Sequence, residues 1–433
     1  MTAGPQPNPK TGVVLALTLA LLIVNAAQAD DWPQWRGPNR DAVWPETGIL
    51  RNFPTGGIAI RWRVPVGYGW SSPVVAKGRV YLTDSRLERP KAWERVHCFS
   101  EQTGKPVWTH SDEAAYPDWA FDPNQQAGPR ATPIVESGKL YTLGATGHLF
   151  CLDALQGKVI WKKDLAKDYA MDAFAGTTPS PLIEGNHLIL AIGGKPKAGV
   201  VALDKNSGKE LWRALAEPWT YSSPIVLTAG GKRQLIIWTP EAVTSLDPTT
   251  GTTYWRERLN TAGDYAVATP VFSGDLLLIS GLMLRLDPDK PAASVLWPAT
   301  KAQTRRILSN TSMPLIQGDH VYSGRSSGHL VCLNARTGKQ VWETDKITDL
   351  KNGASIHLTP NGDSVLLYTD KGEVIRAQLA PGGYKEIGRA ALLEPTYPFG
   401  GRKVVWPPPA YANRHVFARN DKELVCASLE AAN

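Results

Sequence analysis

The chain has few of the residues from which metal sites, disulfide frameworks and linear catalytic motifs are built. Its 433 residues include only 4 Cys, 4 Met and 8 His. No nucleophile–base pair, metal triad or carboxylate pair can be recognised as a linear motif. Gly157, Gly208 and Gly338 precede lysines, but no Ser or Thr follows those lysines, which excludes phosphate-binding loops of the Walker type.

Charge of one sign is not concentrated anywhere, and long apolar runs are missing beyond the N-terminal region. The formal net charge is +7, with 47 Lys and Arg against 40 Asp and Glu. No run of Lys or Arg suggests a nucleic-acid partner. We therefore expect no nucleic-acid binding and no transmembrane segment after removal of a leader.

The first 29 residues have the pattern of a secretory signal peptide. Lys10 supplies a positive charge, 12–24 is an apolar run, and Ala27 and Ala29 form a small-residue cleavage site. The apolar run is short for an uncleaved membrane anchor. No Cys follows the cleavage site, so no lipid anchor is expected there. We predict cleavage after Ala29 and a periplasmic or secreted protein.

The most regular feature is a short segment that recurs along most of the chain. In each clear copy a small residue stands ten positions before a Trp, and a Gly stands four before it. A unit that recurs every ~40–45 residues with strand–turn–strand character is typical of a β-propeller. The clear copies are 98–108 (CFSEQTGKPVW), 151–161 (CLDALQGKVIW), 202–212 (ALDKNSGKELW), 245–255 (SLDPTTGTTYW) and 332–342 (CLNARTGKQVW).

A polar pair followed by Pro and apolar residues precedes each copy. Pro is tolerated at the start of a strand whose edge is unpaired, so these segments are interpreted as the inner strands of blades. The strand near 58–64 should complete a last blade with 416–429 and close the ring. We predict an all-β, eight-bladed propeller of four-stranded antiparallel sheets. Seven blades is the alternative, because the unit at 353–392 is weak.

The repeated Trp residues are interpreted as structural docking residues that pack between blades. The Gly supplies a turn with positive φ, and repeat units bury their cores against their neighbours. The four Cys occupy the small-residue position on different blades, so we expect four free, buried thiols. The predicted docking residues are Trp62, Trp108, Trp161, Trp212, Trp255, Trp297 and Trp342.

These assignments divide the chain into a signal peptide (1–29), an irregular N-terminal arm (30–57) and a β-propeller (58–433). The arm is rich in Trp and Pro and lacks strand alternation. One interpretation is that its aromatic residues plug the rim of the propeller. The alternative is an arm that docks a partner.

The loops between each Trp and the following Pro collect the aromatic and charged residues that the repeat does not explain. They should emerge on one face around the channel, where a rigid scaffold usually carries function. Flat aromatic rings mixed with cationic donors suit an aromatic, anionic or extended polar ligand. The alternative is that these residues only close and solvate the rim. The candidate ligand-binding residues are Trp70, Arg130, Trp219, Tyr221, Tyr265, Arg306, Asn310, His357 and Trp406.

The recurrent segment resembles the A-x-D-x-x-T-G-K-x-x-W repeat of the quinoprotein-type, PQQ-like propeller family. Residues 202–212 fit that repeat except for Ser207 in place of Thr. Catalytic members, the quinoprotein alcohol dehydrogenases, bind pyrroloquinoline quinone and calcium, commonly beneath a vicinal Cys–Cys disulfide. This chain contains no Cys–Cys pair. The non-catalytic branch includes the periplasmic propeller of the outer-membrane barrel-assembly machinery, which the chain also resembles.

The resemblance implies two functions of different classes. The first is an exported, non-catalytic module or scaffold, expected to be monomeric, that binds a protein or polymer partner through the loop face and needs no cofactor. The alternative is a PQQ- and calcium-dependent dehydrogenase of an alcohol, sugar or polyol. A polysaccharide lyase or hydrolase is a third, weaker hypothesis. The sequence gives no catalytic residue for any of them. The metal ligands of the dehydrogenases cannot be mapped onto this chain, and Asn310 and Asp264 are candidates by residue type only.

Overall fold

The structure is a computed structural model that describes residues 1–4, 31–122, 124–125, 127–174, 177–259, 266–299 and 307–431. Most of the predicted signal peptide, together with its cleavage site, lies outside these ranges. Within them, no helix is long and apolar enough to cross a membrane.

Eight four-stranded antiparallel sheets form the molecule, which confirms the eight-bladed propeller. The seven-blade alternative is wrong, because the weak unit at 353–392 forms a complete blade. The first strand belongs to the last blade. The strands of the first half of the chain are β1 (Ile60–Pro65); blade 1, β2 (Val74–Ala76), β3 (Arg79–Glu88), β4 (Lys91–Ser100) and β5 (Pro106–Ala114); blade 2, β6 (Ile134–Glu136), β7 (Lys139–Leu143), β8 (His148–Asp153) and β9 (Val159–Asp164); blade 3, β10 (Leu182–Glu184), β11 (His187–Gly194), β12 (Ala198–Asp204) and β13 (Glu210–Ala214); and blade 4, β14 (Ile225–Ala229), β15 (Lys232–Trp238), β16 (Ala242–Leu246) and β17 (Thr253–Arg258).

The second half of the chain repeats this order, and blade 8 is completed by β1. An additional two-stranded hairpin, which the sequence did not predict, lies between blades 7 and 8. The strands are blade 5, β18 (Val271–Ser273), β19 (Leu276–Ile279), β20 (Leu282–Leu286) and β21 (Ala293–Trp297); blade 6, β22 (Leu315–Gln317), β23 (His320–Gly324), β24 (Leu330–Asn334) and β25 (Gln340–Thr344); blade 7, β26 (Ile356–Asn361), β27 (Ser364–Thr369), β28 (Glu373–Ala380) and β29 (Gly383–Ala391); the hairpin, β30 (Tyr397–Phe399) and β31 (Arg402–Val404); and blade 8, β32 (Ala410–Ala412), β33 (His415–Arg419) and β34 (Glu423–Ser428).

Helix is nearly absent from the described residues. A short 3-10 helix, Asp118–Phe121, lies between blades 1 and 2, and the five-residue helix α1 (Leu165–Tyr169) follows blade 2. The Asp164 carboxylate caps α1 by accepting a bond from the Lys167 N–H. Both elements belong to the connections that run from one blade to the next.

The short inner strands line the central channel, and the polar residue before each Pro connects neighbouring blades. The Ser72 N–H donates to the Thr132 hydroxyl at 3.0 Å, and the Thr132 N–H donates to the Ser180 hydroxyl at 3.0 Å. The Ser180 N–H continues to the Ser223 hydroxyl at 2.9 Å. These bonds satisfy backbone donors that an unpaired inner edge would otherwise leave without partners. The polar pairs of the repeat therefore form a hydrogen-bonded belt through blades 1 to 4.

The ring is closed by pairing between distant parts of the chain, as the sequence predicts. Strand β1 lies antiparallel to β34, with Trp62 opposite Cys426 and Val64 opposite Leu424. The four-stranded order is β1-β34-β33-β32. Blade 8 therefore takes its outer strand from the N-terminal side of the propeller and its other three strands from the C-terminal side.

Six of the seven repeated Trp indoles donate to a carbonyl in the next blade, and at five of these contacts the ring also lies on a turn glycine. The Trp108 Nε1–H donates to the Ala154 carbonyl at 3.1 Å, and a Cβ on Gly157 would approach the Trp108 ring to 2.6 Å. Trp255 is the exception, because its Nε1–H donates to Gln234 of its own blade at 2.8 Å. The glycines under the other four rings are Gly104 (Trp62), Gly208 (Trp161), Gly251 (Trp212) and Gly338 (Trp297).

The N-terminal arm enters the central channel and bonds the inner strands. Trp32 forms an antiparallel bridge with Val75 of blade 1, and the Val135 N–H of blade 2 donates to the Pro33 carbonyl at 2.8 Å. Arg40 reaches the carbonyl oxygens of Pro181 and Pro224 at 2.8 and 3.1 Å. The arm thus contacts inner strands on several sides of the ring.

All four cysteines are free and buried, as expected from their repeat position. Burial raises the pKa of the Cys98 and Cys151 thiols to about 11. These thiols are therefore protonated at neutral pH and behave as small apolar core residues.

Candidate functional site: a pocket at the channel mouth

The two ends of the ring differ in what they carry. One end, the loop face, holds the connections from the outer strand of each blade to the inner strand of the next blade. It also holds the loops that join the second and third strands of each blade. The other end, the turn face, holds the tight turns within blades. A pocket of about 640 Å³, the mouth pocket, opens on the loop face. Its lining residues are Ala115, Tyr116, Pro117, Trp119, Arg130, Asp172, Ala173, Phe174 and Tyr221.

Arg130 is the charged centre of the mouth pocket and is held by two aromatic rings. Its guanidinium carbon lies 4.5 Å from the Trp70 ring centroid and 5.9 Å from that of Tyr221. Its Nη1 donates to the Phe174 carbonyl at 3.2 Å. Burial lowers the pKa of Arg130, and nearby tyrosines oppose this shift. Guanidinium stays charged in proteins, so the pocket offers a partly desolvated cation among aromatic faces.

One wall of the pocket is built from three aromatic rings on two consecutive loops. The Tyr116 and Phe174 centroids lie 4.9 Å apart at 78°, and those of Trp119 and Phe174 lie 5.3 Å apart at 66°. These edge-to-face arrangements are the favoured geometry for aromatic pairs. Trp119 remains 45% exposed, so it presents a large apolar surface at the rim.

A buried carboxylate positions the Trp70 side of the site. Asp84 accepts two bonds from Arg95, each at 2.7 Å, and one from the Gly67 N–H at 2.6 Å. Burial by itself would raise the pKa of Asp84, but bonds and charge from His97 and Arg95 outweigh burial and hold it well below its usual range. Asp84 therefore stays ionised and fixes the 66–70 loop, which carries Trp70, against blade 1.

A second buried carboxyl, Glu94, lies behind the aromatic wall. It accepts bonds from the Tyr116 hydroxyl at 3.0 Å and from the Ala145 N–H at 2.8 Å. Gly144 permits this approach, since a Cβ there would lie 1.7 Å from the Glu94 carboxylate. Burial raises the pKa of Glu94 to about 7 despite these bonds. Ionisation of Glu94 is thus linked to the position of Tyr116.

The structure brings together only some of the residues that the sequence singled out. Trp70, Arg130 and Tyr221 meet at the mouth pocket, and Trp219 packs on Tyr221 with centroids 5.0 Å apart. Trp406 is half-buried elsewhere, against Phe399 at 5.0 Å.

Asn310 is half-buried in the connection between blades 5 and 6. Tyr265 and Arg306 lie outside the described residues, so their predicted role stays a prediction.

His357 does not lie in a loop. It is the second residue of β26, is 5% exposed and bridges Met313 of the preceding connection. Burial lowers the pKa of His357 to about 4, so the imidazole is neutral at physiological pH. The spacing to Pro360 suggested a loop position, but the inner strand of blade 7 begins earlier than in the other blades.

Several residues of the pocket were not among the candidates. Tyr116, Trp119 and Phe174 lie in the two connections that precede Pro133 and Pro181, and Tyr397 packs at right angles on Trp70 with centroids 4.9 Å apart. The length and the aromatic content of the first connection could have indicated that its aromatic residues line a site. No sequence signal marks Glu94, because it lies within the long strand β4 and reaches its partners only across blades.

No group of three or more His, Cys, Asp or Glu residues that could hold a metal ion is found in the described ranges, which leave out 260–265 and 300–306. Asp172 is the acidic residue that lines the mouth pocket. The Arg130 guanidinium lies over the Trp70 ring, so the pocket presents a cation and aromatic faces together.

The fold and site define an eight-bladed β-propeller whose channel mouth carries an arginine held among aromatic rings. The PQQ_2 family, described as "Outer membrane protein assembly factor BamB", matches residues 54–195, 92–344 and 281–385. These matches cover more than half of the chain, and the chain belongs to this family.

Individual relatives fall into two groups. The chain is 26% identical over 223 residues to the outer membrane protein assembly factor BamB of Burkholderia pseudomallei, a match that covers 49% of this chain and 54% of that protein. It is 24% identical over 230 residues to a quinohemoprotein alcohol dehydrogenase of Comamonas testosteroni, covering 50% of this chain and 30% of that protein. The chain spans about half the length of the first of these relatives.

Solved structures show the same fold in both groups. BamB from Moraxella catarrhalis superposes with a TM-score of 0.56 at 17% identity, covering 86% of this chain and 99% of that chain. The quinohemoprotein alcohol dehydrogenase from Comamonas testosteroni superposes with a TM-score of 0.64 at 14% identity, covering 95% and 82%. At these identities the likeness concerns the fold alone.

Proposed function

We propose that this protein is an exported, non-catalytic propeller that binds a protein partner through the mouth pocket and contributes to the assembly of outer-membrane proteins. The observation that carries the proposal is Arg130, which lies between Trp70 and Tyr221 beside the exposed ring of Trp119. Arginine and aromatic residues in a partly desolvated pocket are the residues that most often dominate binding energy at protein interfaces.

The chemistry of the pocket favours a particular kind of partner surface. An acidic side chain or backbone carbonyl can accept the remaining guanidinium donors, and an aromatic or apolar neighbour can lie on Trp119 and Phe174. Rigid support favours binding, because Asp84 and Glu94 already fix the surrounding loops and little ordering entropy is lost on association. The role in outer-membrane assembly rests on the family and on the printed names of its relatives.

Export is proposed from the apolar leader and the cleavage pattern at Ala27 and Ala29. A periplasmic location agrees with a role in outer-membrane assembly. A monomer is proposed because β1 of the same chain closes the ring and completes the sheet of blade 8.

Site-specific photocrosslinking tests the proposed binding face. A photoreactive residue at Trp119 on the loop face is compared with one at Phe272, which is 43% exposed and lies near the turn face. We expect adducts with envelope proteins of the outer-membrane assembly machinery at position 119, and at least fivefold fewer at 272. Arg130→Ala should remove most of the adduct, whereas Arg256→Ala, which breaks an ion pair with Glu217, should not. Equal crosslinking at both positions would contradict the proposal.

We also propose that the protein works without PQQ and calcium. Titration with both should then give no saturable quenching of Trp fluorescence. Saturable quenching at micromolar cofactor that disappears in Trp70→Ala would instead support the dehydrogenase alternative, and an alcohol oxidation assay with an artificial electron acceptor would follow.

A further inference from the structure

The N-terminal arm leaves a second cavity, at the opposite end of the channel from the mouth pocket. This cavity, the arm cavity, has a volume of about 570 Å³ and lies between the arm and the inner strands of blades 3 to 7. Its volume falls within the range of small-molecule sites. Apolar side chains from five inner strands line it, among them Leu182, Ile225, Val271, Leu315 and Leu358.

The arm is folded tightly where it faces this cavity. The Gly37 N–H donates to the Gln34 carbonyl and the Ala42 N–H donates to the Arg36 carbonyl, at 3.1 and 2.9 Å. A Cβ on Gly37 would contact the Trp32 ring at 3.0 Å. Arg36 adopts a left-handed backbone with φ of 63°, which is costly for a residue other than glycine. The packing holds the backbone of Arg36 in this conformation, and the Arg36 side chain lines the cavity.

Arg40 and Arg36 both line the arm cavity, and the Nε–H of each lacks a partner among the described residues, but Arg40 bonds more carbonyl oxygens, two of them at shorter distances. Arg40 bonds carbonyl oxygens of blades 3 and 4, including Pro181 at 2.8 Å. Arg40 therefore links the inner strands of two neighbouring blades.

Arg36 is held loosely and is nonetheless buried. Its two bonds, to the carbonyls of Pro270 and Asp41, are 3.5 and 3.2 Å long, and its Nε–H has no partner in the part of the chain that the structure describes. Arg36 is 5% exposed, and the charge of Asp41 acts on its guanidinium although the described residues form no ion pair with it. Burial lowers the pKa of Arg36 to about 10. Asp41 offsets the cost of burying this cation only in part, and an anion in the cavity would stabilise the guanidinium further.

The charge of the cavity lining favours a ligand with a single negative charge. Arg233 is paired with Glu184 by two bonds of 2.9 Å. Three guanidiniums (Arg36, Arg40, Arg233) and two carboxylates (Asp41, Glu184) line the cavity, which leaves one formal positive charge. A carboxylate matches this charge and the planar guanidinium, whereas a phosphate dianion would leave excess negative charge in a poorly solvated space.

We propose that the arm cavity is a binding site for a monoanionic amphiphile, namely a carboxylate with an apolar tail. The carboxylate would pair with Arg36, and the tail would lie along the inner strands of blades 3 to 6. This site lies at the end of the channel opposite the mouth pocket and does not depend on the proposed function.

The test is calorimetric titration of the purified protein with three probes. Decanoate carries both the charge and the tail, 1-decanol carries the tail alone, and acetate carries the charge alone. We expect saturable binding of decanoate with one site per chain, and at least tenfold weaker binding of the other two. Decanoate should also raise the melting temperature, because it binds only the folded chain.

Three variants locate the site. Arg36→Gln removes the positive charge and should weaken decanoate binding at least tenfold. Ser273→Trp places a bulky ring at the exposed edge of the cavity and leaves the sequence of the arm unchanged, so it should block binding even if Arg36→Gln loosens the arm. Arg256→Gln, which breaks the ion pair with Glu217 elsewhere, should bind normally.

Two results would overturn the proposal. The first is no binding of decanoate, and the second is binding of 1-decanol with equal affinity. Retention of wild-type affinity in both Arg36→Gln and Ser273→Trp would exclude this cavity as the site.

Discussion

Glu94 and His357 are two buried titratable residues whose ionisation is opposed by the same physical cause. Burial raises the pKa of the Glu94 carboxyl to about 7 and lowers the pKa of the His357 imidazole to about 4. At neutral pH the histidine is neutral, and the carboxyl is close to its midpoint. Their contributions to stability therefore have opposite dependence on pH.

The Glu94→Gln variant should lose one component of the pH dependence of stability. A carboxyl with a raised pKa binds its proton more tightly in the folded chain than in the unfolded chain. The contribution of Glu94 to the free energy of unfolding is therefore largest below pH 4.5 and declines as pH rises towards 7. The expected decline is roughly 3 kcal/mol. Urea unfolding at pH 4.5 and pH 8 should show that Glu94→Gln becomes more stable relative to wild type by about this amount at the higher pH.

An exposed carboxylate provides the control for this measurement. Glu113→Gln removes an exposed carboxylate that pairs with Lys91 at the surface, so it controls for the loss of one negative charge without the loss of a buried group. If Glu94→Gln differed from wild type by the same amount at both pH values, the buried-carboxyl interpretation would be wrong.

At the residue scale, the sequence predicts contacts within a repeat better than contacts between distant segments. Trp70, Arg130 and Tyr221 could be selected because they stand at equivalent places before a repeated Pro. The sequence does not indicate Arg36 as a site residue, because its position depends on turns of the arm and on an inner strand more than two hundred residues away. No local periodicity reports such contacts.

At the scale of elements, the contact between a Trp of one blade and a glycine of the next is the repeated unit of packing. Gly157 needs both a positive φ of 70° and the absence of a side chain, since the Trp108 ring lies on it. Gly185, in the turn between β10 and β11, also has a positive φ, of 58°, but open space surrounds it. Substitutions at these two glycines therefore distinguish the cost of a left-handed backbone conformation from the cost of displacing a packed Trp ring.

The Gly157→Ala variant should be much less stable than Gly185→Ala. A left-handed conformation costs a non-glycine residue about 1–2 kcal/mol, and this cost applies to both variants. At position 157 the new methyl group also displaces the Trp108 indole, which should add roughly 2–3 kcal/mol through lost packing. Thermal and urea unfolding would measure both values. Equal destabilisation would show that the indole contact contributes little to blade packing.

The spacing of the repeat predicted these elements well, since one Trp and one Gly at fixed separation mark an outer strand and its turn. It did not predict the hairpin of β30 and β31, which contains no copy of the repeat. It also did not predict the length of β3 and β4, ten residues each, which carry the hairpin of blade 1 beyond the ring.

At the scale of the whole molecule, ring closure joins residues that are far apart in the chain. Strand β1 covers the edge of β34, and the Trp62 indole lies on Gly104 of blade 1. The eight-blade count could be predicted because the two incomplete ends of the repeat complement each other. The path of the arm through the channel could not, because the arm carries no repeat.

Two truncated chains should separate the role of the arm from that of ring closure. A chain that begins at residue 58 lacks the arm but keeps β1, and it should remain monomeric with a lower melting temperature. A chain that begins at residue 67 also lacks β1, so β34 becomes an exposed edge strand that can pair with another molecule. Sedimentation at several concentrations should show association of the second chain only. Monomeric behaviour of both would mean that closure by β1 is dispensable.

The four buried thiols give each of four blades a separate chemical reporter. Cys98, Cys151, Cys332 and Cys426 lie in blades 1, 2, 6 and 8, and each is at most 1% exposed. An alkylating reagent can reach a thiol only when its own blade opens, so the four rates under native conditions measure four local opening free energies. A ring that opens first at its closure would label Cys426 fastest, whereas a ring that unfolds as one unit would label all four together.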